Sequence, residues 1–146
     1  MTTTEAGGAP PCAFARALLA RQAGCPLATL ALAGEAERPL CGSPVAHANC
    51  ATFRSLVRER ATFALRLPPP GAAITHANEL RLQCGGLRGL AVALGGRDEA
   101  PGDVHALVAA AQARFDGLLG IPFEAVVAAV MGWEGRPRAA GGGSPR

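Results

Sequence analysis

Residues 75–94 restrict what this chain can fold into more than any other stretch. Ala77, Leu80, Cys84, Leu87, Ala91 and Leu94 recur at alternating steps of three and four. That period lays one apolar stripe along an α-helix of about five turns. Thr75 stands where an N-cap belongs, its hydroxyl available to the orphan N–H groups of the first turn. Gly95-Gly96 follows as the stop. Gly85, Gly86 and Gly89 are out of place inside such a helix, since each costs roughly 1 kcal/mol against Ala in a helix interior. A helix that keeps three glycines needs its backbone close to something: another helix, or a cofactor.

A striped helix must bury its stripe against further elements, and the flanking sequence supplies helices. Pro11 suits the first position of a helix through Arg21, with Phe14, Leu18 and Arg21 on one face and Gly24 beyond its end. Asn49 is a candidate N-cap for a helix over residues 50–60, with Phe53, Leu56 and Val57 inward and Arg54, Arg58 and Glu59 in water. Asp103 caps a helix carrying Val104, Leu107, Val108, Ala111, Phe115 and Leu118. Pro122 opens a shorter one with Phe123, Val126, Val127, Val130 and Met131. The run Leu27 to Leu32 reads equally as buried strand or helical turn. Between Thr62 and Leu67 the pattern turns to alternation, with Phe63, Leu65 and Leu67 on one side, before Pro68-Pro69-Pro70-Gly71 ends it.

Only 4% of residues are aromatic although 49% are hydrophobic, so the interior must be built from Leu, Val and Ala. Such side chains suit closely packed helices better than a sandwich. The expected fold is therefore mainly α: a compact bundle of four to five helices with at most a small strand element near residues 62–67. It forms a single domain over 10–135, with disordered tails at 1–9 and 136–146.

The chemistry gathers between Cys41 and Cys50, where the sequence runs Cys-Gly-Ser-Pro-Val-Ala-His-Ala-Asn-Cys. Two thiols and the imidazole of His47 lie within ten residues, and these are the soft ligands that zinc and iron–sulfur clusters select. Cys25, followed by Pro26, lies upstream, and Cys84 lies downstream on the helical stripe beside the glycines. Cys25, Cys41, Cys50 and Cys84 supply the four thiolates that a [2Fe–2S] or [4Fe–4S] cluster takes. Cys12, on the first helix, is the spare. No Cys-x-x-Cys pair is present, so neither zinc-ribbon knuckles nor the compact ferredoxin run applies. His47 is an alternative ligand that would complete a zinc site with Cys41, Cys50 and either Cys84 or Cys25. The competing reading makes the cysteines small buried hydrophobes, the state in which Cys is often found.

A third reading makes Cys50 a nucleophile, its pKa depressed at a helix N-terminus, with His47 as its base and Asn49 or Asn78 orienting that base. His76 and His105 fall in the first turns of their helices, where imidazolium is disfavoured. Either could approach the cysteines as an outer-shell group.

Other functions have less support. All 14 basic residues are Arg, which leaves no lysine for a Schiff base or a P-loop. A net charge of +3 and the patch Arg54, Arg58, Arg60, Arg66 lack interleaved aromatics to stack on bases, so no nucleic-acid partner is expected. No run approaches the roughly 18–20 apolar residues of a membrane span, and residues 1–8 lack the features of a secretory signal. The expectation is a small cytosolic protein with a cysteine-held iron–sulfur centre, [4Fe–4S] favoured and zinc the alternative. It would serve electron transfer or cluster handling beside a larger redox enzyme or assembly partner. A metal-free helical accessory subunit and a thiol enzyme remain open.

Overall fold

The computed structural model describes residues 9–134. The expected tails at 1–9 and 136–146 fall outside that span except for residue 9. The fold is mainly helical with one small antiparallel sheet. In order, the elements are α1 (Ala15–Leu19), β1 (Ala28–Ala33), β2 (Ala36–Cys41), α2 (Pro44–Leu65), α3 (His76–Leu80), a π-helical turn (Arg81–Gly85), α4 (Gly86–Ala93), α5 (Val104–Arg114), a 3-10 turn (Leu118–Gly120) and α6 (Phe123–Gly132). Helix α3, the π turn and α4 follow one another without a break.

The strand element lies at 28–41, not at 62–67. Residues 62–65 instead prolong α2, and Arg66 in the left-handed region (φ 55°) closes it. The alternation there does not set the faces of a strand: Phe63 is 95% exposed while Ala61 and Leu67 are buried. Helix α2 also begins earlier than expected. Ser43 is its cap, accepting the Ala46 N–H at 3.2 Å, and Pro44 takes the first helical position. Asn49 is therefore inside the helix. Thr75 and Asp103 do act as caps, accepting the Asn78 and Ala106 N–H groups at 3.1 and 3.0 Å. Helix α1 is shorter than expected because residues 10–12 are extended and Pro11 bridges to Leu40.

One apolar core joins α1, α2, the π turn, α4, α5 and α6. Phe14, Phe53 and Phe123 run through it as a file, with ring centroids 6.1 and 6.3 Å apart. Leu82, Leu87, Leu90, Val57, Val104, Val108, Val126 and Val130 are among the side chains packed around the file. Each such side chain contributes on the order of 1.5–3 kcal/mol by leaving water.

Two of the three glycines answer to the close approach of α6, while Gly86 faces the Val57 side chain of α2, where a Cβ would stand at an ordinary contact distance of 3.4 Å. A Cβ on Gly85 would stand 2.7 Å from the Val130 Cα, and one on Gly89 would stand 2.9 Å from the Val126 Cα. Their absence lets α4 lie directly against α6. The π turn adds a residue to the helical register, so segment 82–87 is buried on every side. Gln83, buried there, accepts the Ala17 N–H at 3.0 Å and donates to Glu79 at 2.7 Å. Arg54 leaves the water-facing role read from sequence and forms a two-point ion pair with Glu79. Helices α1, α2 and α3 are thus tied by one polar chain in an otherwise apolar interior. Burial raises the Glu79 carboxyl, but the hydrogen bonds from Arg54 and Gln83 and the Arg54 charge outweigh it and hold the pKa below its usual 4.5.

Candidate functional site

The sheet positions the cysteines. Antiparallel register sets Ala28 opposite Cys41, and the Gly42 N–H donates to the Leu27 carbonyl at 2.9 Å, so the open end of the hairpin brings Cys41 close to the turn that carries Cys25. On the far side of β2, the Cys12 N–H donates to Pro39 at 2.9 Å and the Cys41 N–H donates to Pro10 at 2.8 Å. Residues 10–12 are thereby a short third strand, with Cys12 beside Cys41. Helix α2 starts three residues after Cys41 and turns Cys50 inward from its second turn. The Cys25 turn is held from the other side: Gly24 donates to Pro101 and accepts from Val104, both at 2.9 Å.

As a result Cys12, Cys25, Cys41 and Cys50 line one small cavity, together with His47, His105 and apolar neighbours that include Leu27, Ala46 and Val104. Four thiols from four separate elements share it. The gap is about 20 Å³, room for about one water molecule; a larger group must displace side chains to enter. Among the described residues no three His, Cys, Asp or Glu side chains are grouped as a single metal ion requires.

Their electrostatics reflect this crowding. Burial, and then the neighbouring Cys12, Cys25 and Cys41, push the Cys50 thiol from 9.0 up to about 12. Burial likewise raises Cys12, with Cys25 and Cys41 adding to the effect and a hydrogen bond opposing it. That bond comes from the Phe14 N–H to the Cys12 Sγ at 3.4 Å. Cys41 donates its thiol to the Ser43 carbonyl at 3.3 Å.

Three of the four cysteines expected as ligands are therefore brought together, and the fourth is not. Cys84 faces the core from the π turn, 1% exposed, and burial pushes its thiol up to about 11 against the lowering effect of Arg88. It does not line the cavity. Cys12, read from sequence as the spare, lines the cavity instead. The signal for it was Pro10-Pro11: a residue before proline is driven to extended backbone, which favours a strand here over a helix start.

His47 and His105 both reach the cavity wall. His76 lies elsewhere, accepting from Arg16. Cys50 is inside α2, not at its N-terminus, and its thiol is raised rather than depressed. The activation expected of a nucleophile at that position is missing.

No family model matches the chain, and neither the curated proteins nor the solved structures provide a match. No helix among the described residues is long and apolar enough to cross a membrane.

Proposed function

We propose that this protein is a small iron–sulfur protein whose cluster, [4Fe–4S] by preference, is held by Cys12, Cys25, Cys41 and Cys50. It exchanges electrons or clusters with a larger redox or assembly partner in a reducing, cytosolic compartment. The observation that carries the proposal is the convergence of four thiols, one each from a short strand, a turn, a hairpin end and a helix, on one cavity. Four cysteine thiolates are the usual ligand set of such a cluster. A cluster is wider than the gap of about 20 Å³ that the thiols border, so binding one requires the four elements that carry them to move apart. The N–H directed at the Cys12 sulfur is the kind of contact that tunes a cluster's potential. His47 and His105 belong to the outer shell.

Mutual repulsion among the four thiolates is what a cationic centre relieves, and loading it releases their protons. The thiol-enzyme reading is the weaker one, because a thiol near 12 is protonated at neutral pH.

Anaerobic purification tests the proposal. The expected product is brown, with iron and acid-labile sulfide in the ratio of a cluster. Cys12→Ala, Cys25→Ala, Cys41→Ala and Cys50→Ala should each lose it, while Cys84→Ala keeps it. Colourless protein with one zinc would replace the cluster by a zinc centre. Protein carrying neither metal after anaerobic preparation and reconstitution would leave a metal-free accessory subunit.

A further inference from the structure

Among the described residues, the hairpin has one covered edge and one open edge. Hydrogen-bonded pairs alternate along an antiparallel ladder, and the Gly42 to Leu27 bond fixes the phase. With the register Thr29↔Leu40, Leu30↔Pro39, Ala31↔Arg38, Thr29 and Ala31 turn their N–H and C=O toward β2. Leu30 and Leu32 turn theirs away. Pro39 agrees with this phase: it has no N–H, and its carbonyl points to the strand at 10–12. That strand covers the outer edge of β2. On the outer edge of β1, among the described residues, the backbone groups of Leu30 and Leu32 have no backbone partner. Their side chains are 57% and 75% exposed.

Strand β1 reads Ala-Thr-Leu-Ala-Leu-Ala, without the charge, proline or bulge that protect natural edges from pairing. Strand β2 beside it carries Glu37, Arg38 and Pro39. We propose that β1 is a self-association edge: two copies of this chain pair β1 to β1, antiparallel, across a two-fold axis. A second copy fits because the edge is complementary to itself. A two-fold through Ala31 sets Leu30 of each copy opposite Leu32 of the other, so the four outward-facing groups of Leu30 and Leu32 on each strand meet partners. A neutral strand opposes no like charges in its copy, although the whole chain carries +3. Leu30 and Leu32 share one face, so four leucines close over the axis as cross-strand pairs. The pairing joins the two hairpins into one continuous sheet with the two β1 strands at its centre. The proposal does not depend on the cysteine centre.

Sedimentation velocity of the full chain over a concentration series, with reductant present, tests it. The expected result is a concentration-dependent monomer–dimer equilibrium. Leu30→Pro removes an outward N–H without breaking the ladder to β2, and Leu32→Lys adds charge to the edge. Each should weaken association at least tenfold while circular dichroism, and the melting temperature measured at concentrations where both proteins are monomeric, stay unchanged. Phe63→Lys, at an exposed apolar site outside the sheet, should leave association intact. A wild-type chain that stays monomeric throughout overturns the proposal, as does a dimer that survives both edge substitutions. Should the variants fold poorly, amide exchange of the wild type decides: Leu30 and Leu32 must gain protection as dimer forms, and full exchange there in the dimer overturns the pairing.

Discussion

Cys50 shows how a side chain's neighbours decide its chemistry. In the metal-free chain its folded pKa lies near 12 against 9.0 for an ordinary thiol, so the folded state keeps a proton that the unfolded state releases. Its contribution is fully present below about 9 and is lost as pH rises toward about 12. Cys84 acts in the same direction, up to about 11. Denaturant titrations of metal-free protein across this range should show falling stability, with a shallower fall in Cys50→Ala. An unchanged slope in that variant would show that Cys50 is not the group responsible. At Cys84 the substitution to Ala trims a buried group and should cost about 1 kcal/mol, with iron and sulfide content unchanged. Cys12→Ala should show the reverse pattern, with little packing loss in a half-buried residue but loss of the cluster.

At the scale of elements, the contact between α4 and α6 and the chain Arg54–Glu79–Gln83 carry the sharpest expectations. Gly89→Ala gains helix propensity but pushes a methyl against the Val126 backbone, which cannot move as a flexible side chain would. The expected net effect is a loss of about 1–3 kcal/mol, read as a lower melting temperature. Gly95→Ala belongs to a different mechanism, since Gly95 has φ 88° in open space, and its cost comes from backbone strain alone. Glu79→Gln removes the charge facing Arg54 and should cost roughly 1–3 kcal/mol through the unsatisfied groups left behind. Glu79 also sets an acid limit. Its folded pKa is below 4.5, so its stabilisation is complete above that pH and disappears as pH falls through the folded value. Acid unfolding of Glu79→Gln should therefore begin from lower stability yet show a weaker pH dependence.

For the whole molecule, the proposed centre sits where the strand at 10–12, the turn at Cys25, the end of β2 and the start of α2 come together. The π turn and the interface between α4 and α6 lie in the helical core instead. Removing the cluster by chelation under air should therefore lower hydrogen-exchange protection first in residues 10–12 and 25–50. Segment 82–90 should remain protected until global unfolding. Uniform loss of protection across both regions would show that the core itself depends on the metal.

Much of the helical framework was legible because its signals are local. Periodicity marks residues 76–93 as helical, Thr75 and Asp103 cap through their own side chains, and Pro122 opens its helix by fixing φ. Low aromatic content with abundant Leu, Val and Ala correctly indicates helices packed on helices. Short apolar runs were ambiguous: 27–32 became a strand only because 36–41 was available to pair with it, while 62–65 stayed helical because α2 already ran into it. The candidate site depended still more on distant partners. Sequence spacing joined Cys41 to Cys50 and admitted Cys25, but it favoured Cys84 on its apolar stripe over Cys12 behind two prolines. Hydrogen bonds from residues 10–12 to β2 brought Cys12 to the cavity, and the π turn buried Cys84 in the core. Local periodicity and capping chemistry determined the helices from the sequence itself, whereas only strand pairing and helix packing, between residues far apart in the chain, decided which thiols face one another.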